Sequence, residues 1–220
     1  LEAEVLGRNP SGERLIRFTG DRVIEEIDRI GHVPLPPYIR RADDAADRAR
    51  YQTVYARERG SAAAPTAGLH FTEESLASCR KAGAEIAAVT LHVGLGTFQP
   101  LRAGNLDDVR VHAEHYAIGP DALASVSAAR RRVVVGTTAV RAIETLAATG
   151  RPAGETDLFI HPGFEFRLTD AILTNFHLPR SSLLVLVSAF AGVDLTLAAY
   201  RHAVEAGYRF YSYGDCMLIV

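Results

Sequence analysis

Three consecutive valines, Val133–Val135, run into Gly136, Thr137 and Thr138 and then into a helical stretch at residues 139–148. No other stretch constrains the fold as much. A short β-branched run closed by glycine reads as a strand buried on both faces, and a helix that follows at once must pack back onto the sheet. The same alternation recurs along the chain. Thr72 caps a helix that stops at Gly83 and leads into a buried strand at 84–93, and a strand at 116–118 precedes a helix entered at Pro120. Strands at 157–160 and 171–174, helices at 182–191 and 195–206, and a last strand at 216–220 complete the pattern. Alternation of this kind predicts a layered α/β domain.

The first part of the chain reads differently. Residues 1–6 and 13–18 alternate apolar and polar around Gly7, Asn9, Pro10, Ser11 and Gly12, the pattern of a β-hairpin. Two strands alone are marginal, so further strands are expected before residue 1. Asp21 is placed to cap a helix carrying Val23, Ile24, Ile27 and Ile30 on one face, with Gly31 as its stop. Pro34, Pro36 and Pro37 make the next segment an extended crossing, a charged helix is expected at 43–56, and 61–68 is a small-residue loop.

Composition narrows the function classes. Among 220 residues, 24 are Lys or Arg and 26 are Asp or Glu, a net charge of −2 that argues against a wholesale electrostatic grip on nucleic acid or an anionic membrane. A local basic patch is compatible with it. Cys79 and Cys216 are too few and too distant for a disulfide framework or a zinc site. The longest apolar run, 183–187 extended by Ala189, Phe190 and Ala191, falls short of the ~20 residues of a membrane span and is expected to be a buried helix.

Three places carry chemistry-bearing residues at the ends of expected strands. Residues 90–100 bring His92 into a turn with Gly94, Gly96, Thr97 and Phe98, where glycine lets backbone approach a ligand. Residues 134–141 offer free amides and two hydroxyls at a helix N-terminus, suited to an anion or carboxylate. Arg141 and Glu144 share one helix face there, either as a surface ion pair or as part of a site. Residues 173–179 set Asn175 and His177 after a buried strand, and a histidine so placed suits proton transfer near neutral pH. His112, Glu114 and His115, with His92, approximate a metal-ligand spacing but lack the helical context of a zinc motif, so no metal is expected.

Taken in order, several long words are similar to one family. They are GHVPLPPYI at 31–39, YQTVY at 51–55, AAPTAGLHF at 63–71, residues 90–100, VGTTAVR at 135–141, FIHPG at 159–163, LTNFHLP at 173–179 and YRFYSYGD at 208–215. The chain resembles the S-adenosylmethionine:tRNA ribosyltransferase-isomerases of queuosine biosynthesis. The resemblance implies a cytoplasmic bacterial enzyme, expected to be monomeric and free of the membrane, with an α/β domain into which a small β-barrel domain is inserted. Residues 1–20 would then be the tail of the barrel, residues 21–220 the α/β catalytic domain, and the family's N-terminal region absent from this chain.

The reaction implied moves the ribosyl group of S-adenosylmethionine onto 7-aminomethyl-7-deazaguanine at the wobble position of tRNA and rearranges it to epoxyqueuosine, releasing adenine and methionine. S-adenosylmethionine is consumed as a substrate, and no permanently bound cofactor is implied. A noncatalytic tRNA-binding relative is the alternative. By the resemblance, His92 and His177 are proton-transfer groups, and Thr66, Gly68 and the catalytic candidate His70 belong to the same pocket. Arg141 with the amides of Thr137 and Thr138 would hold the methionine carboxylate, with Glu144 ordering Arg141. Phe98 and Tyr213 would stack on a ring or the sulfonium, and Asn175 would line the pocket. His112, Glu114 and His115 would support from behind, and Asp215 has a structural turn and a site role as competing readings.

Overall fold

The computed structural model of the chain describes residues 1–9, 14–61, 63–94, 106, 109, 111 and 113–220. At its start, β1 (Glu2–Arg8) pairs with β2 (Arg14–Thr19) as an antiparallel hairpin with Val5 opposite Ile16. Its apolar side chains stay open, Val5 being 61% and Leu15 66% exposed. Helix α1 (Val23–Ile30) carries Glu25 and Glu26 in its first turn and Arg29 in its last, the order that suits the helix dipole. Its N-cap is Arg22, with no side-chain hydrogen bond, and not Asp21; Gly31 ends it.

Helix α2 (Ala45–Arg50) is shorter than the expected 43–56. Asp44 and Asp47 form a reciprocal capping box at its start. The chain leaves the helix at Tyr51 because Tyr51 and Thr53 are drawn into the interior, and β-branched Thr53 and Val54 have little preference for staying helical. A 3-10 helix, Thr66–His70, then precedes α3 (Glu73–Lys81), which Thr72 and Ser75 cap reciprocally.

Two three-stranded sheets follow. In the first, β3 (Thr90–His92), β4 (Glu114–Ala117) and β6 (Ala153–Thr156) run antiparallel in the order β3-β4-β6. In the second, β5 (Val133–Val135) pairs parallel with β7 (Ala171–Asn175), which pairs antiparallel with β8 (Cys216–Ile219). The expected strand at 84–93 is only its last part. Residues 85–88 are exposed, because β4 turns into the Gly119 cap of α4 (Pro120–Ala128) and offers them no ladder. The strand expected at 157–160 is displaced to 153–156, where β4 supplies four partners; Ile160 still reaches the core without being in a strand.

Helix α5 (Thr137–Thr149) fills the space between the sheets. Its Val140, Ala142, Ile143 and Leu146 pack with Tyr116 and Ile118 on one side and Val134 and Ile172 on the other. Fully burying each large aliphatic side chain contributes roughly 1.5–3 kcal/mol. Helices α6 (Ser182–Ala191) and α7 (Val193–Glu205) meet at an angle of 116° across Gly192, whose φ of 87° favours glycine. Among the described residues no single helix is long and apolar enough to cross a membrane.

Arg141 and Glu144 are both buried on α5, and the pairing expected between them is not formed. Arg141 donates from Nη1 to Glu114 (2.6 Å), from Nε to the Leu158 carbonyl (3.0 Å) and from Nη2 to the Thr156 carbonyl (3.0 Å). Glu114 and Thr156 are cross-strand partners, so one guanidinium clasps the β4–β6 ladder. Glu144 turns to the loop before β7 and accepts from the Arg167 amide (2.9 Å), the Leu168 amide (3.0 Å) and the Thr169 hydroxyl (2.7 Å). Glu144→Ala leaves three donors without their acceptor, the Thr169 hydroxyl buried and the Arg167 and Leu168 amides part-buried, so a stability loss of about 3 kcal/mol is expected. In thermal unfolding this should lower Tm by roughly 6–12 °C, with Glu144→Gln losing less because its amide oxygen still accepts. An unchanged Tm in the alanine variant would show that the carboxylate carries no part of the fold.

Candidate active site

The parallel strands β5 and β7 end side by side, and four segments converge on their C-terminal ends. Gly136 leaves β5 with φ 91° and donates its N–H to the Leu173 carbonyl of β7 (2.9 Å), so the chain enters α5 at once. Residues at the α5 N-terminus have no side-chain cap, and the first amides of a helix have no partner within it. Ala67 of the 3-10 helix packs against Gly136, where a Cβ would lie 3.6 Å away. Gly68 beside it has no room for a side chain, since a Cβ would run into the Tyr55 hydroxyl and the Thr53 methyl.

The 3-10 helix ends on His70, whose Nε2 lies 2.8 Å from Nδ2 of Asn175, the last residue of β7. The same Nδ2 donates to the Tyr211 carbonyl at 3.2 Å. Burial pushes the His70 imidazole below its ordinary value, with Asp215 opposing and Arg209 adding to the shift. Asp215 itself is held by the Arg209 amide (2.7 Å) and guanidinium (3.2 Å), which lower its carboxyl. Two residues beyond Asn175, His177 is buried with Nε2 2.9 Å from the Thr174 hydroxyl, and its backbone N–H donates to the Tyr200 hydroxyl (2.9 Å). Desolvation pushes the His177 imidazole down to about 4, so it is neutral at neutral pH.

A cluster of which only Tyr213 belongs to the expected set fixes the loop at 209–215. Tyr51 donates to Ser212 (3.0 Å), Tyr38 shares a short hydrogen bond with the same hydroxyl, and the Tyr38 and Tyr211 rings lie 4.6 Å apart. Tyr213 packs edge-on against Tyr51 and donates to Asp47 (2.7 Å), which Arg41 also grips with both guanidinium nitrogens. The Arg41 hydrogen bond, with Tyr213 adding to it, holds the Asp47 carboxyl well below the carboxylate range; burial and Asp47 push the Tyr213 phenol up to about 12. The tyrosines were visible in the sequence, but nothing in it paired residues so far apart.

The expected residues therefore divide. Thr66, Gly68, His70, Thr137, Thr138, Asn175, His177 and Asp215 belong to the segments that converge at the β5–β7 end. His92 ends β3 in the other sheet, beside Gly60 and across from His115, which is exposed and paired with Glu155 at 3.0 Å; Gly94, just beyond β3, is exposed. Glu114 and Arg141 hold each other between α5 and β4. Tyr213 is committed to Asp47 and Tyr51. Gly96, Thr97, Phe98 and His112 lie outside the described residues. Among the described residues no group of His, Cys, Asp and Glu has the arrangement of a metal site.

Residues 1–219 match the family model described as "Queuosine biosynthesis protein". The S-adenosylmethionine:tRNA ribosyltransferase-isomerase of Solibacter usitatus is 65% identical over 221 residues, covering 100% of this chain and 63% of that protein. The protein of the same name from Moorella thermoacetica is 53% identical over 230 residues, covering 100% of this chain and 67% of its own length. Thermotoga maritima S-adenosylmethionine tRNA ribosyltransferase, a crystal structure, superposes with a TM-score of 0.60 at 37% identity over 99% of this chain and 61% of that one. The chain thus spans about 63% of the first of these relatives.

The buried His177 makes the fold sensitive to acid. An unfolded histidine titrates near 6.5 and this one near 4, so between those values the unfolded chain binds a proton that the folded chain does not. Its stabilising contribution is complete above about pH 6.5 and is lost as pH falls towards about 4. Denaturant midpoints measured from pH 7 to pH 4 should fall less steeply in His177→Gln than in the unsubstituted protein. Parallel curves would show that the imidazole is solvated.

Proposed function

Because the chain belongs to the queuosine biosynthesis protein family, we propose that it carries out the ribosyl transfer and isomerisation for which its relatives are named. S-adenosylmethionine is the ribosyl donor and is consumed, 7-aminomethyl-7-deazaguanine in tRNA is the acceptor, and epoxyqueuosine, adenine and methionine are the products. The observation that carries this reading is the convergence of the α5 N-terminus, His70 and His177 on the ends of the parallel strands. Strand ends in α/β sheets are where such folds hold small ligands.

In this reading the chain's own groups take distinct tasks. The amides at Thr137 and Thr138, which have no side-chain cap, receive the methionine carboxylate, while Arg141 holds Glu114 behind them. His70 and His177 act on the reacting ribose, His92 contributes from the first sheet, and Asp215 keeps the 209–215 loop in shape through Arg209. The enzyme works as a cytoplasmic monomer without a permanently bound cofactor. Residues 1–20 are the tail of a small inserted β-barrel domain, a reading supported by the open apolar side chains of the hairpin, and residues 21–220 form the α/β catalytic domain.

The test incubates the protein with S-adenosylmethionine and tRNA bearing 7-aminomethyl-7-deazaguanine, then measures free adenine and analyses the digested nucleosides by mass spectrometry. Epoxyqueuosine and adenine should appear together. Binding of the tRNA without either product would overturn the catalytic reading in favour of a noncatalytic tRNA-binding relative.

A further inference from the structure

The orientation of the Asn175 side chain decides which proton His70 carries. A carbonyl oxygen only accepts, so the Asn175 atom 3.2 Å from the Tyr211 carbonyl is the amide nitrogen. That nitrogen also lies 2.8 Å from Nε2 of His70. An amide NH2 donates and does not accept, so Nε2 of His70 is the acceptor, and a neutral imidazole that accepts on Nε2 has its proton on Nδ1. The flipped amide would set Oδ1 against the Tyr211 carbonyl, where neither oxygen can donate. The observed orientation leaves one orphan, Oδ1, a buried acceptor with no partner among the described residues.

The Tyr211 carbonyl is itself held in place. Tyr211 has φ 73°, in the left-handed region that a side chain makes costly. Its N–H donates to the carbonyl of Phe176, next in sequence to Asn175 (3.1 Å), and its ring lies against Tyr38. An unusual backbone at one residue and an orphan oxygen at its partner are two departures from ordinary packing along a single hydrogen-bonded path.

We propose that Tyr211 and Asn175 lock His70 in the Nδ1–H form, so that His70 serves the ligand as a hydrogen-bond donor and not as the base. Its Nε2 lone pair is occupied by Asn175, and Nδ1 has no partner among the described residues. The half-buried ring therefore offers the pocket an N–H and no lone pair. The catalytic part rests on the function proposed above. There the donor would face an acceptor atom on which negative charge grows as the purine leaves, and the proton taken from carbon beside the sulfonium would go to another group. Asn175 acts through His70 and is a positioning residue.

Nitrogen-15 NMR of the ligand-free protein tests the lock without reference to activity. His70 should show a pyrrole-type Nδ1 and a pyridine-type Nε2, the reverse of the form that a free neutral imidazole favours. The reverse pattern would overturn the proposal. Asn175→Ala should move His70 towards the ordinary Nε2–H form, and an unmoved pattern would remove Asn175 from the lock. For the donor role, adenine release should fall ~10²-fold in His70→Ala and recover at least ~10-fold in His70→Asn, whose amide keeps a donor near the Nδ1 position. Equal loss in both variants would overturn the donor role. Nδ1–H in a protein that releases no adenine would leave the lock standing and sink the proposed function instead.

Discussion

The Arg141–Glu114 pair is the constraint around which the two sheets are organised. An arginine buried on a central helix is tolerable only when its N–H groups meet acceptors, because an unpaired buried charge is among the costliest features a fold can hold. Here the acceptors are a β4 carboxylate and the carbonyls of Thr156 and Leu158, at and just beyond the end of β6. Helix α5 is thereby set against the first sheet, while the parallel pairing of β5 with β7 sets its other side against the second. Glu144 adds the loop before β7. With both sides fixed, the N-terminus of α5 has one place to go, beside the end of β7.

At that place three ordinary rules of packing are broken together. Tyr211 occupies a backbone region that suits glycine, the Asn175 oxygen is buried without a partner among the described residues, and His177 is buried far enough to stay neutral. Departures of this kind persist only where surrounding contacts over-determine them. The contacts are present: Tyr38, Tyr51 and Ser212 clamp the 209–215 loop, and Arg41, Asp47 and Tyr213 hold its flank.

The valine strand, its glycine and the helix after it were legible in the sequence because period, turn residue and propensity all agree there, but the strand is not buried on both faces, since Val134 is buried and Val133 is 52% exposed. Also legible were β7, α6, α7 and β8, within a residue or two at their ends. Where local signals were weaker, tertiary partners decided. Residues 153–156, with Gly154 and no β-branched run, form a strand because β4 lies alongside, while the apolar 158–160 does not. The Arg141–Glu144 spacing correctly put both groups on a helix, yet an i,i+3 pair worth a few tenths of a kcal/mol yields to buried partners that each would otherwise leave unsatisfied. The resemblance and the small-residue loop before a helix N-terminus point His70 to the pocket, but its contact with Asn175 spans 105 residues, a distance over which spacing carries no signal.

What the converging segments offer a ligand is a set of dipoles more than a set of charges. Arg141 and Glu144 are committed to the fold, Asp215 to Arg209, and Asp47 to Arg41. His177 is kept neutral by burial, and burial lowers His70 as well. Uncommitted amides at a helix N-terminus and an imidazole N–H of fixed direction remain. Such groups stabilise charge where it develops without needing to reorient, and they attract little when no charge is present. For the reaction proposed here, a cationic sulfonium and a departing purine, with charge redistributed between them, are better served by fixed dipoles than by a fixed counter-charge, which would hold the ground state as firmly as the transition state.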